Sequence, residues 1–176
     1  MRLGSSSVAG DESWARPYQR WRIAVPALTC LAALLLMTLP VVTPGPSVPH
    51  LVMLSVLIWS SFQPALMPPY LALPVGILTD AVLGLPIGIN ATLMPSLTIV
   101  VGTVERRFGG RPYLLDWLIG AVLIFVYQYI VHKFGGFVSG RQPFQPFLAQ
   151  AVTTTLAYPV MVAVIVRIQR RWGLVS

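Results

Sequence analysis

Between residues 23 and 104 the chain carries a single charged side chain, Asp80. In an ordinary soluble domain about a quarter of the residues are charged, so a nearly uncharged stretch of this length has too little polar surface to face water. Lipid is the environment that suits it. At the centre of a membrane-spanning helix, however, an ionised carboxylate costs about 2.5 to 3.5 kcal/mol on insertion scales. The stretch therefore predicts a membrane protein in which Asp80 has a structural or functional role.

The overall composition supports the same class. Of the 176 residues, 56% are hydrophobic and 10% are charged, and the mean hydropathy is +0.75. The net charge of +7 comes from 12 basic and 5 acidic residues, and the basic ones lie outside the apolar stretches. A nucleic-acid-binding face needs clustered Lys and Arg on a water-exposed domain, whereas anionic lipid headgroups explain this excess. We expect contacts with membrane lipids and none with nucleic acid.

Six apolar stretches predict an all-α bundle of six transmembrane helices: 23–42, 48–62, 65–85, 87–104, 114–131 and 147–168. Lys and Arg in short loops accumulate on the cytoplasmic side of a membrane. With both termini cytoplasmic, ten of the twelve basic residues lie on that side, and only Lys133 and Arg141 lie outside. The sequence therefore predicts one membrane domain at 23–168, between a cytoplasmic or interfacial tail at 1–22 and a cytoplasmic tail at 169–176.

The second stretch, 48–62, is the shortest of the six. At 1.5 Å per residue it covers about 22 Å, which is less than the roughly 30 Å of hydrocarbon in a bilayer. It must thin the bilayer, borrow flanking residues or form a re-entrant hairpin with the third stretch. A re-entrant hairpin leaves four spans and keeps the basic residues on the same sides, whereas five spans would place the C-terminal arginines outside.

The residues that usually carry catalysis or metal binding are sparse. Cys30 is the only cysteine, so neither an intrachain disulfide nor a cysteine metal site is expected. The chain has no His-Glu-x-x-His, no Gly-x-Ser-x-Gly and no P-loop. Glu105 and Asp116 belong to the opposite membrane face from Asp80 on the predicted topology. We therefore predict no catalytic residue, no cofactor and no metal, and we expect that the protein is not an enzyme.

The residues around Asp80 form a spaced pattern. Gly76, Asp80 and Gly84 lie at positions i, i+4 and i+8 and so share one helix face, where the missing side chains let another backbone approach closely. Pro86 and Gly88 follow, and they favour a tight turn between the third and fourth stretches. The resulting hairpin brings Asp80 towards its hydrogen-bond candidates. These are Asn90 and Thr92.

Three interpretations of Asp80 compete. In the favoured one, Asp80 is a helix-packing and capping acid that binds nearby hydroxyls, amides or turn N–H groups. In a transport interpretation it binds a proton, a cation or a cationic substrate, and the polar groups that could assist it on the fifth and sixth stretches are Tyr127, Gln128, Gln150, Thr153, Thr154 and Thr155. A catalytic interpretation lacks the second titratable group that acid–base chemistry needs.

The connection at 132–141 is predicted to be the longest one outside the membrane between spans. It carries glycines and aromatic residues, including Phe134 and Phe137. Such a composition suits a docking surface for a partner. Aromatic side chains that lie in the headgroup zone of the bilayer also fit this composition, and this is the favoured interpretation.

The ordered set Gly76-x-x-x-Asp80-x-x-x-Gly84-x-Pro86-x-Gly88 resembles the MreD family of rod shape-determining membrane proteins. A second segment, Pro49-His50-Leu51-Val52 followed by Trp59, is similar to that family's entry into its second span. Together these segments cover residues 48–104. The chain departs from the family pattern in the uncharged segment 60–63 and at Leu85, where the family commonly has a short polar residue.

The resemblance implies a non-enzymatic scaffold in the bacterial inner membrane. Such a scaffold associates with MreC and, through it, with the MreB filament, the RodA synthase and the elongation penicillin-binding protein. The family also resembles the S components of energy-coupling-factor transporters, which share a six-helix bundle. A small-molecule-binding component of a transporter is therefore the alternative function.

Overall fold

The structure is a computed structural model, and it describes residues 15–38, 48–108, 112–139 and 144–172. Within these ranges the chain forms six α-helices and no strand. In chain order they are α1 Ala15–Thr38, α2 Leu51–Phe62, α3 Pro69–Leu83, α4 Ile89–Phe108, α5 Tyr113–Ser139 and α6 Phe144–Arg171. Each helix covers most of one apolar stretch, so the predicted all-α fold with six helices is confirmed.

Two helix boundaries differ from the predicted ones. α3 starts at Pro69 and not at residue 65, because Pro68 is extended and the proline after it suits the first helical position, where no N–H partner is needed. α5 continues to Ser139, so the predicted loop at 132–141 is wrong up to residue 139. Gly135 and Gly136 lie inside this helix, where glycine costs only about 1 kcal/mol relative to alanine. Residues 140–143 lie outside the described ranges.

The central helix of the bundle is α2. All nine residues from Val52 to Ser60 are buried, and α2 packs against α1, α4 and α6. A helix that is apolar on every side is stable only when it is enclosed, and here the other helices enclose it. Because α2 has 12 residues, it is about 18 Å long.

Not all of the helices reach the length of a membrane span. Two helices in the described ranges are long and apolar enough to cross a bilayer, Tyr113–Gly136 and Phe144–Arg171. Three shorter apolar helices accompany them, Ala24–Thr38, Leu51–Phe62 and Pro69–Leu83. The short second stretch of the sequence is therefore an even shorter helix, and α3 is short as well.

The two ends of the bundle differ in chemistry. At one end, residues 84–88 join α3 to α4, and we call this the hairpin end. At the other, the last turns of α4 and α6 carry four arginines, and we call it the arginine end. These residues are Arg106, Arg107, Arg170 and Arg171.

Candidate functional site

The side chain of Asp80 caps the start of α4. Its Oδ2 accepts hydrogen bonds from the backbone N–H of Gly88 at 2.9 Å and of Ala91 at 3.2 Å. Its Oδ1 accepts from the backbone N–H of Asn90 at 3.1 Å and from Asn90 Nδ2 at 2.9 Å. The carboxylate therefore accepts four hydrogen bonds, and three of them come from main-chain N–H groups at one helix start.

This arrangement gives hydrogen-bond partners both to the first N–H groups of α4 and to the buried carboxylate of Asp80. The first N–H groups of a helix have no partner within that helix, and the helix start carries a partial positive charge that favours an anion. Asp80 is fully buried, with 0% of its surface exposed, and a buried carboxylate is tolerated only when it is hydrogen-bonded. Asp80 supplies from α3 the cap that α4 lacks in its own sequence.

Gly76 is the point of closest approach between α3 and α4. A Cβ atom at this position would lie 2.4 Å from the carbonyl oxygen of Asn90 and 2.7 Å from the Cα of Ala91. Both neighbours are main-chain atoms, which cannot rotate away. The absence of a side chain at Gly76 thus brings the start of α4 within reach of the Asp80 carboxylate one turn along α3.

Gly84 has a different role from the one expected from its spacing. A Cβ atom at Gly84 would meet no other atom within 4 Å, so the expectation that it packs in a close helix seam is wrong. Gly84 instead ends α3 in the left-handed conformation, with φ 65° and ψ 25°. In this conformation the N–H groups of Gly84 and Leu85 both reach the carbonyl oxygen of Asp80, as at many helix ends.

We expect Gly84→Ala and Gly84→Leu to destabilise the protein equally. Any Cβ strains the left-handed backbone by about 1–2 kcal/mol, and the open space around Gly84 accepts the rest of a leucine side chain. Gly84→Asn should cost less, because asparagine tolerates this conformation. Thermal unfolding in detergent measures the order. If the leucine variant is much less stable than the alanine variant, Gly84 packs closely against another helix, contrary to this expectation.

The turn at 84–88 places the remaining candidate residues. Gly88 has a positive φ of 123°, which a side chain would strain, and Ile89 N–H donates to the Pro86 carbonyl at 3.4 Å. Of the two proposed partners, Asn90 donates to Asp80, whereas Thr92 does not. The hydroxyl of Thr92 is exposed and donates to the carbonyl oxygens of Gly88 and Ile89, at 2.7 and 3.0 Å.

Asn90 connects Asp80 to the other helices. The hydroxyl of Tyr127 on α5 donates to Asn90 Oδ1, and the ring of Tyr127 meets the ring of His50 edge to face, with centroids 6.0 Å apart. His50 N–H donates to Thr154 Oγ1 on α6 at 3.1 Å. We call this set the polar layer. Its members are His50, Asp80, Asn90, Tyr127, Gln128 and Thr154.

A cavity of about 270 Å³ lies beside the polar layer at the hairpin end. Its polar walls come from α5, α6 and the start of α2, and its apolar walls include Phe147 and the α3–α4 turn. The lining residues are His50, Leu83, Leu85, Gln128, Val131, His132, Gly135, Pro146, Phe147 and Gln150. Gln128 and Gln150 are recognisable in the sequence as polar groups of the fifth and sixth stretches, but nothing in the sequence places them around one space.

Two buried polar atoms of residues that line this cavity have no hydrogen-bond partner among the described residues, His50 Nε2 and Gln128 Oε1. The other polar atoms of these side chains are engaged. Met53 N–H donates to His50 Nδ1 at 3.3 Å, so the proton of the neutral ring lies on Nε2. Gln128 Nε2 donates to Thr154 Oγ1 at 2.8 Å. Two residues that line the cavity thus keep an unused donor, His50 Nε2–H, and an unused acceptor, Gln128 Oε1, both of them buried.

Comparison with protein-family models identifies a match to the rod shape-determining protein MreD over residues 19–168. The chain belongs to the MreD family. Comparison with curated proteins and with solved structures returns no match. The family assignment makes the chain a rod shape-determining membrane protein, as the motif around Asp80 predicted.

This MreD-family chain has a second polar contact near the arginine end, which the sequence did not reveal. The hydroxyl of Tyr158 on α6 donates to Asp116 Oδ2 on α5 at 2.8 Å. Gly120 allows this approach, because a Cβ there would lie 3.2 Å from the Tyr158 ring. α5 and α6 are therefore joined by polar contacts at two levels. In the described ranges, no group of three His, Cys, Asp or Glu side chains could hold a metal ion.

Proposed function

We propose that the protein is a non-enzymatic scaffold of the cell-wall elongation machinery in the bacterial inner membrane. In this role it binds MreC directly and, through MreC, associates with MreB, RodA and the elongation penicillin-binding protein. Membership of the MreD family supports the role. The hydrogen bonds of Asp80 also support this role. All four of them hold the start of α4 and thereby build a rigid hairpin.

The proposed topology follows from the distribution of charge. The membrane domain spans 23–168 with six helices, both termini are cytoplasmic, and the arginine end faces the cytoplasm, because basic residues are retained on that side. Arg106, Arg107, Arg170 and Arg171 would then lie at the cytoplasmic headgroups. The hairpin end and its cavity face the opposite side of the membrane.

The cavity at the hairpin end is the observation that supports partner binding most directly. Two of its lining residues carry a buried donor without a partner, His50 Nε2–H, and a buried acceptor without a partner, Gln128 Oε1, which match the C=O and N–H of an amide group. Burying either atom without a partner costs about 1–3 kcal/mol, so an amide that engages both would gain affinity there. We propose that a segment of MreC next to the membrane places a main-chain or side-chain amide in this cavity.

A leucine at Gly135 tests this proposal. Gly135 lines the cavity, and a Cβ atom at this position would meet no atom within 4 Å, so the new side chain can fill the cavity without displacing the helices. We expect Gly135→Leu to reduce MreC retention after mild detergent extraction by about tenfold or more, which corresponds to about 1.4 kcal/mol of lost binding free energy.

The matched control is Gly136→Leu. Gly136 is the next residue on α5, has the same open surroundings and does not line the cavity. It should retain MreC at the wild-type level, and both variants should unfold at the same temperature. Equal retention of MreC by both variants would show that the cavity does not bind MreC.

The same cavity supports the alternative function, a small-molecule-binding component of a transporter that resembles an S component. Its volume of about 270 Å³ suits a small ligand, and four polar side chains converge on it: His50, Gln128, His132 and Gln150. Mass spectrometry of the purified protein separates the two functions. A vitamin-sized molecule that co-elutes with the wild-type chain and is absent from Gly135→Leu, with no MreC retained, would favour the transporter component.

A further inference from the structure

α3 is much shorter than the helices beside it: α1 has 24 residues and α4 has 20. α3 has 15 residues, whereas α5 has 27 and α6 has 28. At 1.5 Å per residue α3 is about 22 Å long, and α5 and α6 are each about 40 Å long. The hydrocarbon of a typical bilayer is about 30 Å thick. α3 is thus too short for the bilayer that suits its neighbours.

The contact between α3 and α4 shows how far each helix extends towards the arginine end. Gly76 lies against Asn90 and Ala91, and from this contact the two helices run towards the arginine end. α3 extends about 10 Å to Pro69, while α4 extends about 26 Å to Phe108. The start of α3 therefore lies well short of the end of α4, which carries Arg106 and Arg107.

The outer face of α3, and that of α1 beside it, is apolar and unpartnered within the described chain. α3 exposes Tyr70, Leu73, Ile77, Leu78 and Val82, and α1 exposes Leu28, Leu31, Leu35 and Leu36. Side chains of this kind, on a chain with this hydropathy, face lipid acyl chains. Tyr70, at the first turn of α3, is 68% exposed. Tyrosine prefers the headgroup level of a membrane.

Non-helical segments lie at both ends of α3. Residues 63–68 connect it to α2, with Pro64 and Ala65 exposed, and residues 84–88 connect it to α4, with Ile87 77% exposed. Irregular backbone exposed to lipid does not occur within hydrocarbon, because its N–H and C=O groups would lack partners. α3 also cannot lengthen, since Pro68 and Pro69 bound it at one end and the left-handed Gly84 at the other.

We propose that the protein thins the bilayer beside α3, so that headgroups and water descend to both turns and the hydrocarbon there is about 22–25 Å thick. The partner of this face is the bilayer itself, in a locally thinned form. This property is separate from the binding of MreC at the hairpin end. It would concentrate lipids with short acyl chains on one side of the molecule.

Spin labels at single cysteines test the thinning. Cys30 is 1% exposed, and Cys30→Ala supplies a background without cysteine. Tyr70→Cys and Ile87→Cys place labels at the two ends of α3, and Val122→Cys, at a 56% exposed position of α5, places one in mid-membrane. The full chain is reconstituted in dioleoylphosphatidylcholine vesicles. The collision of each label with oxygen and with a polar nickel chelate then reports its depth.

We expect the labels at Tyr70 and Ile87 to report headgroup depth, with nickel accessibility several times that of the label at Val122. If either end of α3 proves as inaccessible to nickel as Val122, that turn is submerged in hydrocarbon and the proposal is wrong. Should Tyr70→Cys fail to fold, Ala65→Cys in the exposed α2–α3 turn replaces it, with the same expected and contradicting results.

Discussion

Asp80→Leu is expected to lower the free energy of unfolding by at least about 3 kcal/mol, because each buried group left without a hydrogen-bond partner costs about 1–3 kcal/mol. Four donors lose their acceptor at once: the N–H groups of Gly88, Asn90 and Ala91, and Asn90 Nδ2. The damage should extend to the polar layer, since Asn90 also accepts from Tyr127. Thermal and denaturant unfolding in a mild detergent measure the loss.

Asp80→Asn is the control that separates charge from shape. All four groups that contact the carboxylate are donors. The amide oxygen of asparagine can accept from the donors of one carboxylate oxygen, whereas its NH₂ group would face the donors of the other carboxylate oxygen. We expect the asparagine variant to fold and to lie between the wild type and Asp80→Leu in stability. If leucine is tolerated as well as asparagine, Asp80 does not cap α4.

Gly76→Ala should destabilise the protein by about 2 kcal/mol or more, since overpacking of a tight core costs about 1–3 kcal/mol and the clash here is with main-chain atoms. The new Cβ would lie 2.4 Å from the Asn90 carbonyl oxygen, so α4 must move away from α3. That movement also lengthens the hydrogen bonds to Asp80. Gly76→Leu should be worse, and unfolding temperature measures both.

The matched control for Gly76 is Gly102→Ala. Gly102 lies inside α4, and a Cβ atom there would meet nothing within 4 Å. Alanine is favoured over glycine in a helix interior by about 1 kcal/mol, so this variant should be as stable as the wild type or more so. Equal effects at Gly76 and Gly102 would show that α3 and α4 are not in close contact.

Sequence spacing was sufficient to predict the α3–α4 hairpin. Pro86 and Gly88 mark a turn by local backbone preference, and helical periodicity places Gly76 and Asp80 on one face. The residues that specify the hairpin therefore all lie within the hairpin itself. The role of Gly84 was missed for a related reason. A glycine near a helix end serves equally well as a close-packing residue or as a left-handed cap, and only the exact end of the helix decides between them.

The polar layer and the cavity could not be predicted in the same way. His50 caps the start of α2, Tyr127 lies on α5 and Thr154 lies on α6, so their contacts depend on how the helices are arranged. The extension of α5 was missed because Gly135 and Gly136 are weak helix formers, yet the helix continues through both. Tertiary packing overrides local preference at these positions.

The central claim, that this MreD-family chain is a scaffold that binds MreC, is tested most directly by co-purification. The tagged wild-type chain is extracted from membranes in a mild detergent, and the bound proteins and small molecules are quantified by mass spectrometry. We predict that MreC is retained in a fixed ratio to the chain and that no small ligand co-elutes. A stoichiometric small molecule with no MreC would contradict the account.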